Sequence, residues 1–97
     1  MTTYISLFRW TQKGIENVKD SANRLDAVKK AIAGAGGRFI AFYLTTGQYD
    51  AVAIAEWPND QAMATAALAG GSQGFVRSET LRAFTEDEYR KIISSLP

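Results

Sequence analysis

Arg38-Phe39-Ile40-Ala41-Phe42-Tyr43-Leu44-Thr45-Thr46-Gly47-Gln48-Tyr49-Asp50-Ala51-Val52-Ala53-Ile54-Ala55-Glu56-Trp57 carries two apolar runs separated by a turn. β-Branched and aromatic residues are concentrated in both runs, as half-buried strands require. Gly47-Gln48 suits a two-residue hairpin turn with glycine first, where a positive φ is needed. The segment therefore predicts a β-hairpin, with strands over Arg38–Thr46 and Tyr49–Trp57 and a stop at Pro58.

Upstream of the hairpin, Tyr4–Trp10 reads as a strand, with Ile5 and Leu7 on one face and Tyr4, Ser6, Phe8 and Trp10 on the other. Thr11 caps a helix whose apolar stripe is Ile15, Val18, Ala22, Leu25, Val28 and Ile32, with a break expected near Asp20-Ser21. Gly34, Gly36 and Gly37 end it. Downstream, Asn59 or Asp60 caps a second helix from Gln61 to about Ala69, which stops before Gly70-Gly71. Gly74–Phe84 is a fourth strand. Thr85-Glu86-Asp87-Glu88 matches a capping box, and Tyr89, Ile92, Ile93 and Leu96 place one apolar face on a short terminal helix.

The order is βαββαβ plus a C-terminal helix. Crossover connections are right-handed in nearly all proteins, and the economical solution is an α+β, ferredoxin-like split βαβ. It has a four-stranded antiparallel sheet with both main helices on one face. Residues 1–97 are expected to form one domain, since this length leaves no room for a second.

Composition removes most familiar chemistries. The chain has no histidine and no cysteine. It therefore lacks disulfides, thiolate nucleophiles, zinc–thiolate and imidazole metal sites, and the usual proton shuttle near neutral pH. No metal and no cofactor are expected. A net charge of +1 gives no global field for nucleic acid or an anionic membrane. No apolar run approaches the ~20 residues of a membrane span. Met1-Thr2-Thr3-Tyr4 is not a basic segment leading into an apolar stretch, so a cytoplasmic location is expected. An RNA-recognition motif shares the strand order, but Ala51, Ala53 and Ala55 replace its stacking aromatics and no basic residue lies nearby. Gly34-Ala35-Gly36-Gly37 follows a helix, the reverse of a phosphate cradle.

Both sheet faces read as apolar. Ile5, Leu7, Ile40, Phe42, Leu44, Val52, Ile54, Leu81 and Ala83 are assigned to the helix-covered face. Phe8, Trp10, Phe39, Ala41, Tyr43, Ala51, Ala53, Ala55, Trp57 and Phe84 fall on the other, diluted by Ser6, Ser78, Thr80 and Arg82. A large apolar patch marks a partner surface, and the simplest partner is a second copy, sheet against sheet. The alternative is that the terminal helix folds back over this face, but one short helix cannot cover four strands. Tyr4, Ser6, Phe8, Trp10, Tyr43, Trp57, Thr80 and Arg82 are then the candidate ligand pocket between two paired sheets. Arg82 either holds an anionic or planar ligand, or pairs with a carboxylate across the interface or reaches solvent. Asp50 either acts as a general base or accepts backbone amides at the turn. Arg77 and Glu79, two residues apart on one face, suggest an exposed ion pair of little worth. No catalytic residue is assigned.

Gly47-Gln48-Tyr49-Asp50, followed by Val52, Ile54, Glu56 and Pro58, resembles the signature of the GYD domain family. The resemblance continues through Arg77-Ser78-Glu79-Thr80-Leu81-Arg82-Ala83-Phe84-Thr85 and takes in Gly14-Ile15 and Lys19-Asp20-Ser21 to Arg24. Ala22 and Ser78 depart from the residues common in relatives, proline and threonine. The resemblance implies a ferredoxin-like fold similar to the dimeric α/β-barrel superfamily, typically bacterial, and it carries no catalytic residue. Gly47, Tyr49 and Asp50 are its motif residues at the turn. The expected function is a homo-oligomer, a dimer or a multiple of dimers, binding a small apolar or aromatic ligand between paired sheets. The alternative that the superfamily suggests is a cofactor-independent monooxygenase or isomerase.

Overall fold

A computed structural model describes residues Met1–Pro97. Its strands are β1 (Thr2–Trp10), β2 (Arg38–Leu44), β3 (Ala51–Trp57) and β4 (Val76–Ala83). Its helices are α1 (Gln12–Glu16), α2 (Ser21–Gly34), α3 (Asp60–Ser72) and α4 (Glu86–Ser94). The strands form one antiparallel sheet in the order β2-β3-β1-β4, so both βαβ connections cross over a strand. This is the ferredoxin-like α+β arrangement read from the sequence.

Local sequence explains the element boundaries. The Thr11 hydroxyl accepts the Gly14 amide at 3.0 Å and starts α1. The expected break follows, as a 3-10 turn over Val18–Asp20 before α2 begins. Asn59 caps α3 by accepting the Ala62 amide at 2.8 Å. The capping box at α4 is complete, with Thr85 and Glu88 each accepting the other's amide. Two expectations are corrected. α3 runs through Gly70-Gly71 to Ser72 and does not stop at Ala69. Neither glycine has a positive φ, so nothing forces the chain out of the helix there. The hairpin is also longer than two residues. Thr45 N donates to Asp50 O at 2.9 Å, which leaves Thr46–Tyr49 as a four-residue loop. Gly47 supplies the positive φ, +118°, within it.

The larger correction concerns the two sheet faces, which are reversed in β1, β3 and β4. Tyr4, Ala55 and Trp57 form the core with Ile32 of α2, and Phe39, Ala62, Met63 and Ala66 pack against them. The helices therefore lie on the face of Tyr4, Ser6, Phe8, Trp10, Ala51, Ala53, Ala55, Trp57, Ser78, Thr80 and Arg82. The alanines of β3 and α3 are small enough for helix and sheet to approach closely. Strand β2 adds a complication, because a β-bulge between Phe39 and Ala41 shifts its register. Phe42 and Leu44 consequently pair with Ala53 and Ala51 on the helix side, and Ala41 and Tyr43 lie on the open side, as expected for these four residues. A bulge inserts one residue and so exchanges the faces beyond it.

The open face is ordered in four cross-strand rows. Arg38, Glu56, Thr3 and Ala83 form the first, and Ala41, Ile54, Ile5 and Leu81 the second. Tyr43, Val52, Leu7 and Glu79 form the third, with Arg9 opposite Arg77 at the far end. The middle is thus aliphatic and the ends are charged. α4 does not cover this face. It makes no substantial contact with the sheet or the other helices, and Tyr89, Ile92, Ile93 and Leu96 are all exposed. No helix is long and apolar enough to cross a membrane.

Candidate functional site

The charged end of the open face is built by the β2–β3 loop. Asp50 fastens that loop to β1, its amide donating to Phe8 O at 2.8 Å and its Oδ2 accepting the Trp10 amide at 3.0 Å. Asp50 thereby extends the pairing of β3 with β1 beyond Ala51. The Thr45 hydroxyl donates to Tyr49 O at 2.6 Å and closes the loop from within. With both ends held, Tyr49 lies over the open face. Its hydroxyl donates to Glu79 Oε2 on β4 at 2.6 Å. One side chain from the loop after β2 thus reaches across β1 to the edge strand.

Arg9 completes the arrangement. Its guanidinium stacks on the Tyr49 ring, 4.6 Å from the centroid, and its Nε donates to Gln48 O at 2.7 Å. Planar stacking plus a directed N–H is a task for arginine rather than lysine. The hydrogen bond to Glu79 raises the Tyr49 phenol above its usual value, with partial desolvation and the Glu79 charge adding and Arg9 opposing. Tyr49 is therefore held as a neutral hydrogen-bond donor.

Two adjoining depressions flank Tyr49. One, of about 290 Å³, is lined by Leu7, Thr45, Thr46, Gln48, Tyr49 and Val52. The other, of about 170 Å³, is lined by Leu7, Arg9, Tyr49, Arg77, Ser78 and Glu79. Leu7 and Tyr49 belong to both. The arrangement can offer an apolar floor, a neutral phenol and two guanidinium groups to one small molecule. No group of three or more Asp and Glu side chains is placed to hold a metal ion.

The eight pocket candidates read from the sequence are not brought together on this face. Tyr4 is 3% exposed and Trp57 7%, both in the core beneath the helices, and the Tyr4 hydroxyl donates to Asp60 of α3. Ser6 and Thr80 share a hydrogen bond of 3.2 Å on that same side. Phe8 and Trp10 also share the parity of Tyr4, and Trp10 abuts Gly14 of α1. Arg82 bends toward the start of α4, stacks on Phe84 at 4.1 Å and lies 3.6 Å from Glu88. Of the pocket set, only Tyr43 is on the open face. The motif residues Gly47, Tyr49 and Asp50 do meet at one place, and their neighbours Leu7, Arg9, Arg77 and Glu79 were missed. The expected Arg77–Glu79 ion pair is absent because Glu79 accepts from Tyr49 instead. Glu56 lies on the open side and pairs with Arg38 at 2.6 Å.

The family model described as GYD domain matches residues 4–93. The chain is similar to the crystal structure of TTHA0845 from Thermus thermophilus, with 30% identity and a TM-score of 0.55. That similarity covers 88% of this chain and 95% of the other. No curated protein matches.

Proposed function

Since the chain belongs to the GYD domain family, we propose that it acts as a homo-oligomer whose copies pair through their open sheet faces and hold a small apolar or aromatic ligand between them. One observation carries this reading. The four-row face has an aliphatic middle of Ile5, Ile54, Leu81, Leu7 and Val52 between charged ends, and no element of its own chain covers it. An apolar centre with a polar rim is the anatomy of a protein interface.

Accessible area supports the same conclusion. The chain exposes 6813 Å², whereas a compact monomer of this mass exposes roughly 5,500 Å². The excess, about 1,300 Å², is more than the roughly 800 Å² that each partner gives to a standard interface. Static light scattering at micromolar concentration tests the pairing. The expected mass is that of two copies or a multiple of two, and a monomer overturns the reading. Mass spectrometry of small molecules released from protein purified from its native host tests the ligand.

A second reading, a cofactor-independent monooxygenase or isomerase, draws on the Tyr49 hydroxyl held 2.6 Å from Glu79. If a bound aromatic substrate draws the O–H away from Glu79, the neutral phenol donates its one hydrogen bond to a developing oxyanion instead. Tyr49→Phe then abolishes turnover and leaves substrate affinity within a few-fold. Equal loss of both places Tyr49 in binding alone.

A further inference from the structure

Arg9 and Arg77 are direct cross-strand partners on the open face. Like charges placed opposite one another destabilise a sheet. The chain's ion pairs are Arg24 with Asp20, Arg38 with Glu56, Arg82 with Glu88 and Arg90 with Glu86. Neither member of the opposed pair has a carboxylate partner. Glu79, the nearest acidic side chain in register, is occupied by Tyr49. Arg9 is held in place through Gln48 O and the Tyr49 ring, so its position is set before anything binds. Both arginines line the depression of about 170 Å³, which adjoins the apolar one of about 290 Å³ through Leu7 and Tyr49.

We propose that Arg9 and Arg77 form the recognition site for a monocarboxylate whose planar, apolar body lies on Leu7 and Val52 beside Tyr49. This rests on the ligand-holding role proposed above and names the class of ligand. The two arginines and Glu79 sum to one positive charge, which matches a monoanion better than a phosphate dianion. Guanidinium groups bind carboxylates through paired N–H donors, so the fork geometry fits as well as the charge. The adjoining apolar depression gives the rest of the molecule an apolar surface, and its tyrosine offers a ring edge. An anion here also relieves the repulsion between the two arginines, which explains why the chain carries them opposite one another.

The test uses the full chain, with benzoate as probe and benzamide as its neutral counterpart, followed by NMR of the arginine Nε–H groups and the backbone. Benzoate is expected to shift the Arg9 and Arg77 signals saturably, with benzamide at least tenfold weaker. Arg77→Gln is expected to weaken benzoate at least tenfold, whereas Lys30→Gln on the exposed face of α2 leaves it unchanged. Without benzoate, Arg77→Gln is expected to melt no lower than the wild type, because it removes a like-charge pair. Equal binding of benzoate and benzamide overturns the proposal, as does unaltered benzoate binding by Arg77→Gln. If wild-type protein ignores benzoate and Arg77→Gln splits the oligomer, the arginines meet a carboxylate of a second copy, and the small-molecule site is overturned. Light scattering on the same samples separates the two readings. A monomer that binds benzoate through Arg77 supports this site and overturns the pairing of sheets.

Discussion

Gly14 is buried where α1 passes beneath the segment leading into β4. A Cβ added there would lie 1.9 Å from Phe75 O, a backbone atom that cannot swing aside. The close approach is held by the Thr11 amide donating to Phe75 O at 3.1 Å and the Thr11 hydroxyl donating to Gly74 O at 2.5 Å. Gly14→Ala is therefore expected to cost about 2 kcal/mol or more, and thermal melting should fall by roughly 10 °C. A second residue-scale prediction concerns Tyr49. Its folded value is raised above 10.0, chiefly by the hydrogen bond to Glu79. The neutral phenol is the favoured form, so its contribution to stability is present below the unfolded value and fades as pH rises through the folded one. The difference between ultraviolet titrations of the wild type and Tyr49→Phe should show the Tyr49 phenol ionising above its usual value, and Glu79→Ala should bring that ionisation back down. The motif Gly47–Asp50 was legible in the sequence, but the partners of Tyr49 were not. A usable signal was nonetheless present. Arg9, Glu56, Arg77 and Glu79 share the parity of Ile5, Leu7, Ile54 and Leu81. Charges of that number do not belong on a helix-covered face, so parity of charge identified the open side where apolar content did not.

Among the elements, the order, the capping residues and the break before α2 could all be read from the chain, because caps and periodicity are local signals. The β2 bulge could not, since it depends on how Phe39–Ala41 meets β3 across the hairpin. The length of α3 was hidden for a different reason. Gly70-Gly71 is a strong local stop, and tertiary placement overrides it. A Cβ on Gly71 meets nothing within 4 Å and its φ is helical. Gly71→Ala is therefore expected to stabilise the chain by about 0.5–1 kcal/mol, measured by chemical denaturation. α4 behaves as a separate element whose start depends on its capping box. The Glu88 carboxyl is held below its usual 4.5, first by the Thr85 amide, with Arg82 adding and desolvation opposing. The charged form is favoured, so this contribution is present above the unfolded value and is lost as pH falls through the folded one. Protection factors of the α4 amides should fall at acid pH before those of the sheet. Thr85→Ala should produce the same local fraying near neutral pH, at a cost of about 1 kcal/mol.

The whole molecule is extended for its size. Its radius of gyration is 14.7 Å, with extents of 52 × 31 × 18 Å, whereas a compact chain of this length has a radius near 12.5 Å. Only 7 of 97 residues are buried, too few for a chain whose apolar surface were satisfied internally. The two neighbouring residues Ile54 and Ala55 separate the consequences of this shape. Ala55 is 7% exposed and packs in the core beneath α2 and α3. Ile54 is half-buried at the centre of the open face, between Ile5 and Ala41. An aspartate at either position places a charge among apolar side chains, but at different levels of organisation. Ala55→Asp should unfold the chain, because an unpaired charge in the core costs more than a small domain can spare. Ile54→Asp should leave the far-ultraviolet circular dichroism of a folded chain, since water reaches that face in the monomer. If copies pair through the open faces, it should also reduce the mass in light scattering to that of one copy. The opposite pattern, with Ile54→Asp unfolding and Ala55→Asp folded but monomeric, would restore the face assignment that apolar content alone suggests. An Ile54→Asp protein that is folded and still associated would place the interface on α4, where Ile92 and Ile93 are exposed.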